Sequence, residues 1–165
     1  KAPSVDDCIE KMMPTINCIK ETLDTLVYGE NGLQLEDVIV KIHQFFGKQM
    51  TVIDAGLHGE VARLVSQADE TRTVLAGGAV HSVDEKSFRA LVQDVSSVVT
   101  ENQMLVAIGP IDRTPELVEA GDSYFDLLLI TTAGVEEKRI RYSGHSAWRE
   151  VRAVKDVLNT IRLRM

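Results

Sequence analysis

Apolar residues recur every three or four positions in five stretches of the chain, and this spacing predicts five amphipathic helices. The first begins at the capping-box pattern Ser4–Asp7 and reaches about Leu26, and Pro14 is expected to kink it or to end its first part. The second covers Leu35–Phe46 and stops at Gly47. The other three begin near Glu60, at the N-cap Asp84 and after Ser146, and their predicted inward residues are Val61, Leu64, Val65, Phe88, Leu91, Val92, Val95, Val151, Val154, Leu158 and Ile161, with Trp148 packed under the last helix.

Short apolar and β-branched runs lie between these helices and predict strands. One of them is wholly apolar, as expected of a central strand covered on both faces. Two longer runs around Ala133-Gly134 predict a hairpin, and 109–122 is expected to be a loop. The predicted strands are Met50–Ile53, Thr73–Val80 with a break at Gly77-Gly78, Met104–Ile108, Tyr124–Thr132 and Val135–Tyr142. Alternating helices and strands predict an α/β fold, a three-layer sandwich with a mixed central sheet.

The composition excludes several classes of protein. A net charge of −7 argues against a nucleic-acid or acidic-membrane partner. No apolar run approaches the roughly 20 residues of a membrane span. Cys8 and Cys18 lie in one predicted helix on faces that do not meet, so they suit free thiols in a reducing, cytoplasmic compartment. The start Lys1–Ser4 has neither a signal peptide nor an initiator methionine, and we expect a fragment or a processed product.

The stretch Met50–Gly59 combines a strand, a turn with two glycines and the start of a helix. In α/β proteins such a junction directs backbone N–H groups and the positive end of a helix dipole at an anion. Asp54, Gly56, His58 and Gly59 are therefore candidate binding residues. The alternatives are a turn or N-cap role for Asp54 and an exposed loop position for His58.

A series of short segments shares its order and spacing with one known family. The segments are Thr25–Gly32, Leu35–Ile39, Met50–Asp54, Gly77–Val80, Ile108–Pro110, Thr114–Glu116 and Tyr142–Gly144. Together they resemble the C-terminal domain of the CinA (competence/damage-inducible) family. The resemblance implies that 33–165 form this domain. It also implies that 1–32 comprise the remnant of a KH-like middle segment and a linker.

The family domain is associated with nicotinamide-nucleotide amidohydrolase activity, which converts the carboxamide of nicotinamide mononucleotide to the acid and ammonia. Its nucleophile is the serine of a Glu-Ser-Cys-Thr-Gly-Gly motif, and such a hydroxyl needs a base and oxyanion donors. In this chain the motif falls on Asp54–Gly59, with Ala55 at the serine position and Leu57 at the threonine position. A methyl group cannot attack a carbonyl, so the resemblance implies a fold that is kept while its chemistry is lost.

The other family motifs have also lost reactive side chains. Ser82 replaces a tyrosine, and Ser143–Ser146 lacks the arginine that would suit a phosphate or carboxylate. The glycines that shape the backbone remain, and they indicate either close backbone packing or contact with a ligand. The complete candidate pocket is Asp54, Gly56, His58, Gly59, Gly77, Gly78, Ser82, Gly109, Pro110 and Arg113.

Three functional hypotheses follow from these residues. The first is a catalytically degenerate homologue of the amidohydrolase domain that serves as a structural, oligomerising or ligand-binding part of a larger CinA-like protein. The second is an active nicotinamide mononucleotide deamidase that uses Ser82, Ser66 or a water activated by Asp54. The third is a sensor that binds the nucleotide without hydrolysing it.

The expected partners are a nicotinamide nucleotide and a second copy of the chain, with no nucleic acid and no membrane. We expect no metal, because the four histidines are far apart in sequence and neither cysteine lies near one. We also expect no cofactor, and no Walker or Rossmann glycine pattern occurs.

Overall fold

The computed structural model describes residues 4–23, 32–119 and 122–165, which fall into two compact units, Lys1–Gly32 and Leu33–Met165. The predicted end of the first helix at Leu26 lies outside these residues. The assignment of the first unit to a KH-like remnant stays a prediction.

The first unit contains helix α1, Val5–Leu23. Its start is a reciprocal capping box, because the Ser4 N–H donates to the Asp7 carboxylate at 2.9 Å and the Asp7 N–H donates to Ser4 Oγ at 3.1 Å. The helix continues through Pro14, so the expectation that this residue ends its first part is wrong.

The second unit alternates helices and strands as predicted. Its described helices are α2 Leu35–Phe46, α3 Glu60–Ala68, α4 Glu85–Ser96, α5 Pro115–Glu119 and α6 Ser146–Arg162, and its strands are β1 Gln49–Asp54, β2 Leu75–Val80, β3 Gln103–Ile108, β4 Tyr124–Thr131 and β5 Gly134–Arg141. Within the described residues these strands form one sheet in the order β2-β1-β3-β4-β5. The first three strands of that order are parallel, and the hairpin β4–β5 is antiparallel, so the sheet is mixed.

Two apolar clusters separate the sheet from its helices. One lies between the sheet and the layer α2, α3 and α6, and it includes Val52, Val106 and Leu158. The other lies beneath α4, where Phe88 and Val92 pack on Leu105 and Ile130. Helices cover both faces, and the predicted three-layer α/β sandwich is confirmed.

Four details differ from the sequence-based expectation. Strand β2 is continuous through its glycines, and the irregularity is a register shift in which Met50 pairs with Leu75 and Thr51 with Gly77. Helix α5 lies inside the predicted loop. Trp148 and Val151 are 68% and 51% exposed, so neither is an inward residue of α6.

Candidate functional site

The carboxyl ends of β1 and β3 lie side by side, with Asp54 paired to Ile108. The chain leaves β1 towards β2 on one side of the sheet and later adds β3 on the other side. In open α/β sheets, ligands bind in the crevice that forms where the strand order reverses in this way. The loop from Ala55 to Gly59 lies at that crevice, so it is the candidate site of this fold.

Asp54 fills the anion-binding position of this loop with its own carboxylate. Its side chain is 1% exposed, and Oδ1 accepts the N–H groups of Gly56 at 2.9 Å and Leu57 at 2.6 Å. Oδ2 accepts the N–H of Gly59 at 2.8 Å. These N–H groups are the donors that a phosphate or an oxyanion would require at this helix start. They are already paired with a negative charge that belongs to the chain.

Backbone packing closes the crevice from the β3 side. A Cβ placed on Gly56 would lie 2.5 Å from the carbonyl oxygen of Gly109. The Ala55 N–H donates to the Ile108 carbonyl at 2.8 Å, and the Gly109 N–H donates to the Asp126 carbonyl at 2.8 Å. Gly56 and Gly109 therefore serve a close approach of two backbone segments, the first of the two interpretations that the sequence left open.

Solved structures with the same architecture are known. The chain is similar to competence-damaged protein (CinA) superfamily proteins from Klebsiella pneumoniae 700603 (16% identity, TM-score 0.56, 80% of this chain and 98% of that one), Enterobacter cloacae (17%, 0.56, 84% and 96%) and Escherichia coli (15%, 0.55, 86% and 98%). This chain has the CinA superfamily fold. No protein-family model and no curated protein matches the sequence. At identities this low the shared property is the fold, and the chemistry has to be argued from the residues.

The residue that follows Asp54 carries no reactive group and contacts the apolar core. Ala55 is partly buried and packs against the cluster beneath α4 that contains Ile53 and Phe88. Ser66 and Ser82 are exposed, and within the described residues no hydrogen bond joins either hydroxyl to a histidine or a carboxylate. Among the described residues, therefore, neither Ser66 nor Ser82 has the geometry that activates a serine, and Ala55 has no hydroxyl group.

The remaining residues of the loop serve its shape. His58 and Gly59 have positive φ angles of 55° and 81°, and a Cβ on Gly59 would lie 2.8 Å from Val80 Cγ2. The His58 side chain is exposed. The His81 N–H donates to the Asp54 carbonyl at 2.8 Å, which ties the end of β2 to the end of β1.

Gly77 and Gly78 lie inside β2 and away from its carboxyl end. A Cβ on Gly78 would lie 3.2 Å from Ala62 Cβ, so this glycine allows α3 to pack closely on the sheet. The fold thus brings together Asp54, Gly56, Gly59 and Gly109, while Gly77 and Gly78 stand apart from them.

Pro110 and Arg113 line a separate open cleft of ≈ 580 Å³ beside the crevice. The cleft is also lined by Asp84, Glu85, Ile111, Asp112, Thr114, Tyr124, Phe125, Asp126 and Arg139. Arg139 donates to Asp112 at 3.0 Å, and its guanidinium lies 5.1 Å from the centre of the Tyr124 ring. Four carboxylates against two guanidinium groups disfavour a phosphate, although Arg113 is exposed.

Arg89 of α4 neutralises part of this acidic surface. It donates to Glu85 at 2.5 Å, to Asp126 at 2.7 Å and to Glu137 at 2.6 Å. Burial raises the pKa of Asp126, and the charge of Arg89 opposes that rise. Sequence reasoning missed this cluster, because its members come from one helix and two strands and no local pattern connects them.

Residues 4–23, 32–119 and 122–165 contain no group of three His, Cys, Asp or Glu side chains arranged to hold a metal ion. None of the helices in this part of the chain combines the length and apolar character needed to cross a membrane.

Proposed function

We propose that Leu33–Met165 is a catalytically degenerate CinA-like domain that acts as a structural unit and does not hydrolyse nicotinamide nucleotides. The observation that carries the proposal is the paired state of the β1–α3 loop. The Asp54 carboxylate accepts the N–H groups of Gly56, Leu57 and Gly59. The sequence resemblance supports the proposal, because it assigns Ala55 to the position of the family's nucleophile.

The energetics of this loop favour a structural role. Hydrogen bonds to a charged group contribute about 1.5–3 kcal/mol each, so releasing three of them would forfeit several kcal/mol. A phosphate that entered the loop would also place a second negative charge beside a carboxylate that is 1% exposed. The loop is therefore built to stay closed around Asp54.

Ammonia release from nicotinamide mononucleotide tests the proposal. The wild-type chain should release no ammonia, because its crevice is filled and lacks a nucleophile. Ala55→Ser should also release none, because its crevice is still filled. Ala133→Ser, an alanine-to-serine change in the exposed hairpin turn, is the matched control. Turnover by the wild type would refute the proposal. Turnover by Ala55→Ser alone would mean that the crevice admits the substrate, which contradicts a filled site.

The open cleft favours a second candidate, a sensor that binds a nicotinamide nucleotide without turnover. Its volume of ≈ 580 Å³ lies in the range of small-molecule sites. Arg113 supplies an exposed guanidinium, which would have to hold a phosphate against the four carboxylates of the lining. Titration calorimetry with nicotinamide mononucleotide separates the candidates. A sensor requires saturable binding that Arg113→Gln abolishes and that Arg152→Gln, on the exposed side of α6, leaves intact. Absence of binding refutes the sensor.

A further inference from the structure

Arg89 is the side chain that joins helix α4 to the hairpin β4–β5. Its Nε donates to Glu85 of the same helix at 2.5 Å, and its Nη2 donates to Asp126 of β4 at 2.7 Å and to Glu137 of β5 at 2.6 Å. Among the described residues, every side-chain hydrogen bond and ion pair between α4 and the hairpin runs through Arg89. We call these four residues the α4 clasp.

The α4 clasp connects the two sides of the open cleft of ≈ 580 Å³. One side is the start of α4, with Asp84 and Glu85, and the other is the hairpin, with Tyr124, Asp126 and Arg139. The rest of α4 is held on the sheet by apolar side chains, whose packing involves no ionisable group. A change in the charge of the clasp therefore acts first on the helix start that borders the cleft.

The clasp contains more negative than positive charge, because three carboxylates share one guanidinium. Asp126 and Glu137 contact the same nitrogen atom of Arg89, which brings their oxygens close enough to repel each other when both are ionised. Two carboxylates that share a site relieve this repulsion by binding one proton between them. The pair is therefore a proton-binding element that connects the clasp to the pH of the solution.

Asp126 is the member of the pair that favours the proton. Its side chain is 25% exposed, whereas that of Glu137 is 50% exposed. Burial raises the pKa of Asp126, the charge of Arg89 opposes this, the charges of Glu137 and Glu85 add to the rise, and Arg139 lowers it. The hydrogen bond from Arg89 lowers the pKa of Glu137, burial opposes this, and the contact with Asp126 adds to the lowering.

We propose that the α4 clasp is a proton-operated switch, which holds α4 on the hairpin most tightly when Asp126 and Glu137 share one proton. The stability that protonated Asp126 contributes is lost as the pH rises through its raised folded pKa. The stability that ionised Glu137 contributes is lost as the pH falls through its lowered folded pKa. The clasp is therefore tightest between these two values and loosens on either side. This control of the cleft depends neither on the proposed structural role nor on nucleotide binding.

The carboxyl carbon resonances of Asp126 and Glu137, followed by NMR of the full chain from neutral to acidic pH, test the shared proton. We expect Asp126 to titrate above its ordinary value of about 3.9 and Glu137 below its ordinary value of about 4.3. Glu137→Gln should lower the midpoint of Asp126, because a like charge is lost. Glu101→Gln, at an exposed position, should leave that midpoint unchanged. Ordinary midpoints for both residues, or an Asp126 midpoint that Glu137→Gln does not lower, would overturn the proposal.

Hydrogen exchange of the α4 amides tests whether the proton acts on the helix. Protection, corrected for the intrinsic exchange rate at each pH, should fall as the pH rises through the midpoint of Asp126. Arg89→Leu should lower protection about three- to tenfold, as expected for two partly exposed ion pairs, and should remove that fall. Arg89→Lys, which keeps the charge but loses the planar fork, should recover part of the protection. Lys86→Leu removes an exposed charge from the same helix and is the control.

Two results of this exchange measurement would overturn the proposal. One is protection of α4 that does not change through the midpoint of Asp126, and the other is protection that Arg89→Leu and Lys86→Leu lower equally. Neither measurement uses a nucleotide or ammonia release, so the switch and the proposed function fail independently.

Discussion

At the scale of single residues, Gly56 is fixed by contact with a neighbouring backbone. The space for its side chain is occupied by the Gly109 carbonyl oxygen, which would lie 2.5 Å from an added Cβ. Backbone atoms cannot rotate away as a flexible side chain can. The glycine is therefore required by packing, whatever the site binds.

We predict that Gly56→Ala lowers the free energy of unfolding by about 1–3 kcal/mol, the usual penalty for inserting an atom into a packed interior. Gly77→Ala is the control, because the nearest atom to its Cβ would be Thr51 Cγ2 at 4.0 Å. Chemical denaturation of both variants measures the difference. Equal stability of the two variants would show that Gly56 and Gly109 are not packed as described.

His43 is a buried base whose ring is only half satisfied. It is fully buried, and Nδ1 lies 3.0 Å from the Ile39 carbonyl oxygen. Nε2 is buried and has no hydrogen-bond partner among the residues that the structure describes. Burial lowers the pKa of His43, the bond to Ile39 opposes this, and the charge of Lys48 adds to the lowering. The folded state therefore favours the neutral ring more than the unfolded state does.

It follows that the stability contributed by neutral His43 is complete above the pKa of this residue in the unfolded state, about 6.5. This stability is lost as the pH falls through the lower pKa of the folded state. Unfolding free energies measured between neutral and mildly acidic pH should decline in the wild type. His43→Leu should flatten that decline, while His58→Gln, at an exposed loop position, should keep it. An unchanged decline in His43→Leu would assign the pH dependence to other groups.

At the scale of elements, α3 is held at both ends by buried aspartates. Asp54 accepts three N–H groups before the helix. Asp69 is 2% exposed and accepts those of Thr73, Val74 and Leu75 after it, at 3.2, 2.7 and 3.1 Å. In each loop the carboxylate accepts backbone N–H groups that a helix or a strand would pair with carbonyl groups. Side chains therefore anchor α3 at each of its junctions with the sheet.

For the second anchor we predict that Asp69→Asn destabilises the chain by about 2–3 kcal/mol, since an amide accepts fewer and weaker bonds than a carboxylate. Burial would raise the pKa of Asp69, but the donors from Val74, Leu75 and Thr73 outweigh it, and the pKa is lowered. The stability contributed by ionised Asp69 is thus present above the pKa of the unfolded state, about 3.9. It is lost as the pH falls through the lower pKa of the folded state. Asp94→Asn, on the exposed side of α4, is the control and should change stability little. Equal loss in both variants would contradict the anchoring role.

The helices and strands were predictable where local pattern determines them. Gly47 ends α2 with φ of 62°, and Asp84 caps α4 by accepting the Ser87 N–H at 2.8 Å, as the sequence indicates. Trp148 shows the limit of such reasoning, because its large ring suggests burial while the fold leaves it 68% exposed. Which side of α6 meets the sheet depends on contacts with α2 and α3, and the sequence of α6 alone does not contain that information.

At the scale of the whole molecule, the alternation of elements predicted the three-layer sandwich, and the CinA-like fold confirms it. The sequence left two roles open for Asp54, a binding residue or a turn and N-cap acid, because the order strand, glycines and helix start suits both. The hydrogen bonds of its carboxylate to the N–H groups of Gly56, Leu57 and Gly59 correspond to the second role. The direction of the Asp54 carboxylate distinguishes the two cases, and only the folded backbone determines it.

The amide resonances of Gly56, Leu57 and Gly59 report directly on the claim that Asp54 occupies the anion position. We would record them by two-dimensional NMR during titration of the full chain with nicotinamide mononucleotide and, separately, with inorganic phosphate. The Arg113 amide serves as an internal reporter for binding in the neighbouring cleft. The account predicts that the three loop amides keep their positions throughout both titrations. Saturable shifts of these three resonances would show that an external anion takes the place of the Asp54 carboxylate, and would contradict a closed, structural site.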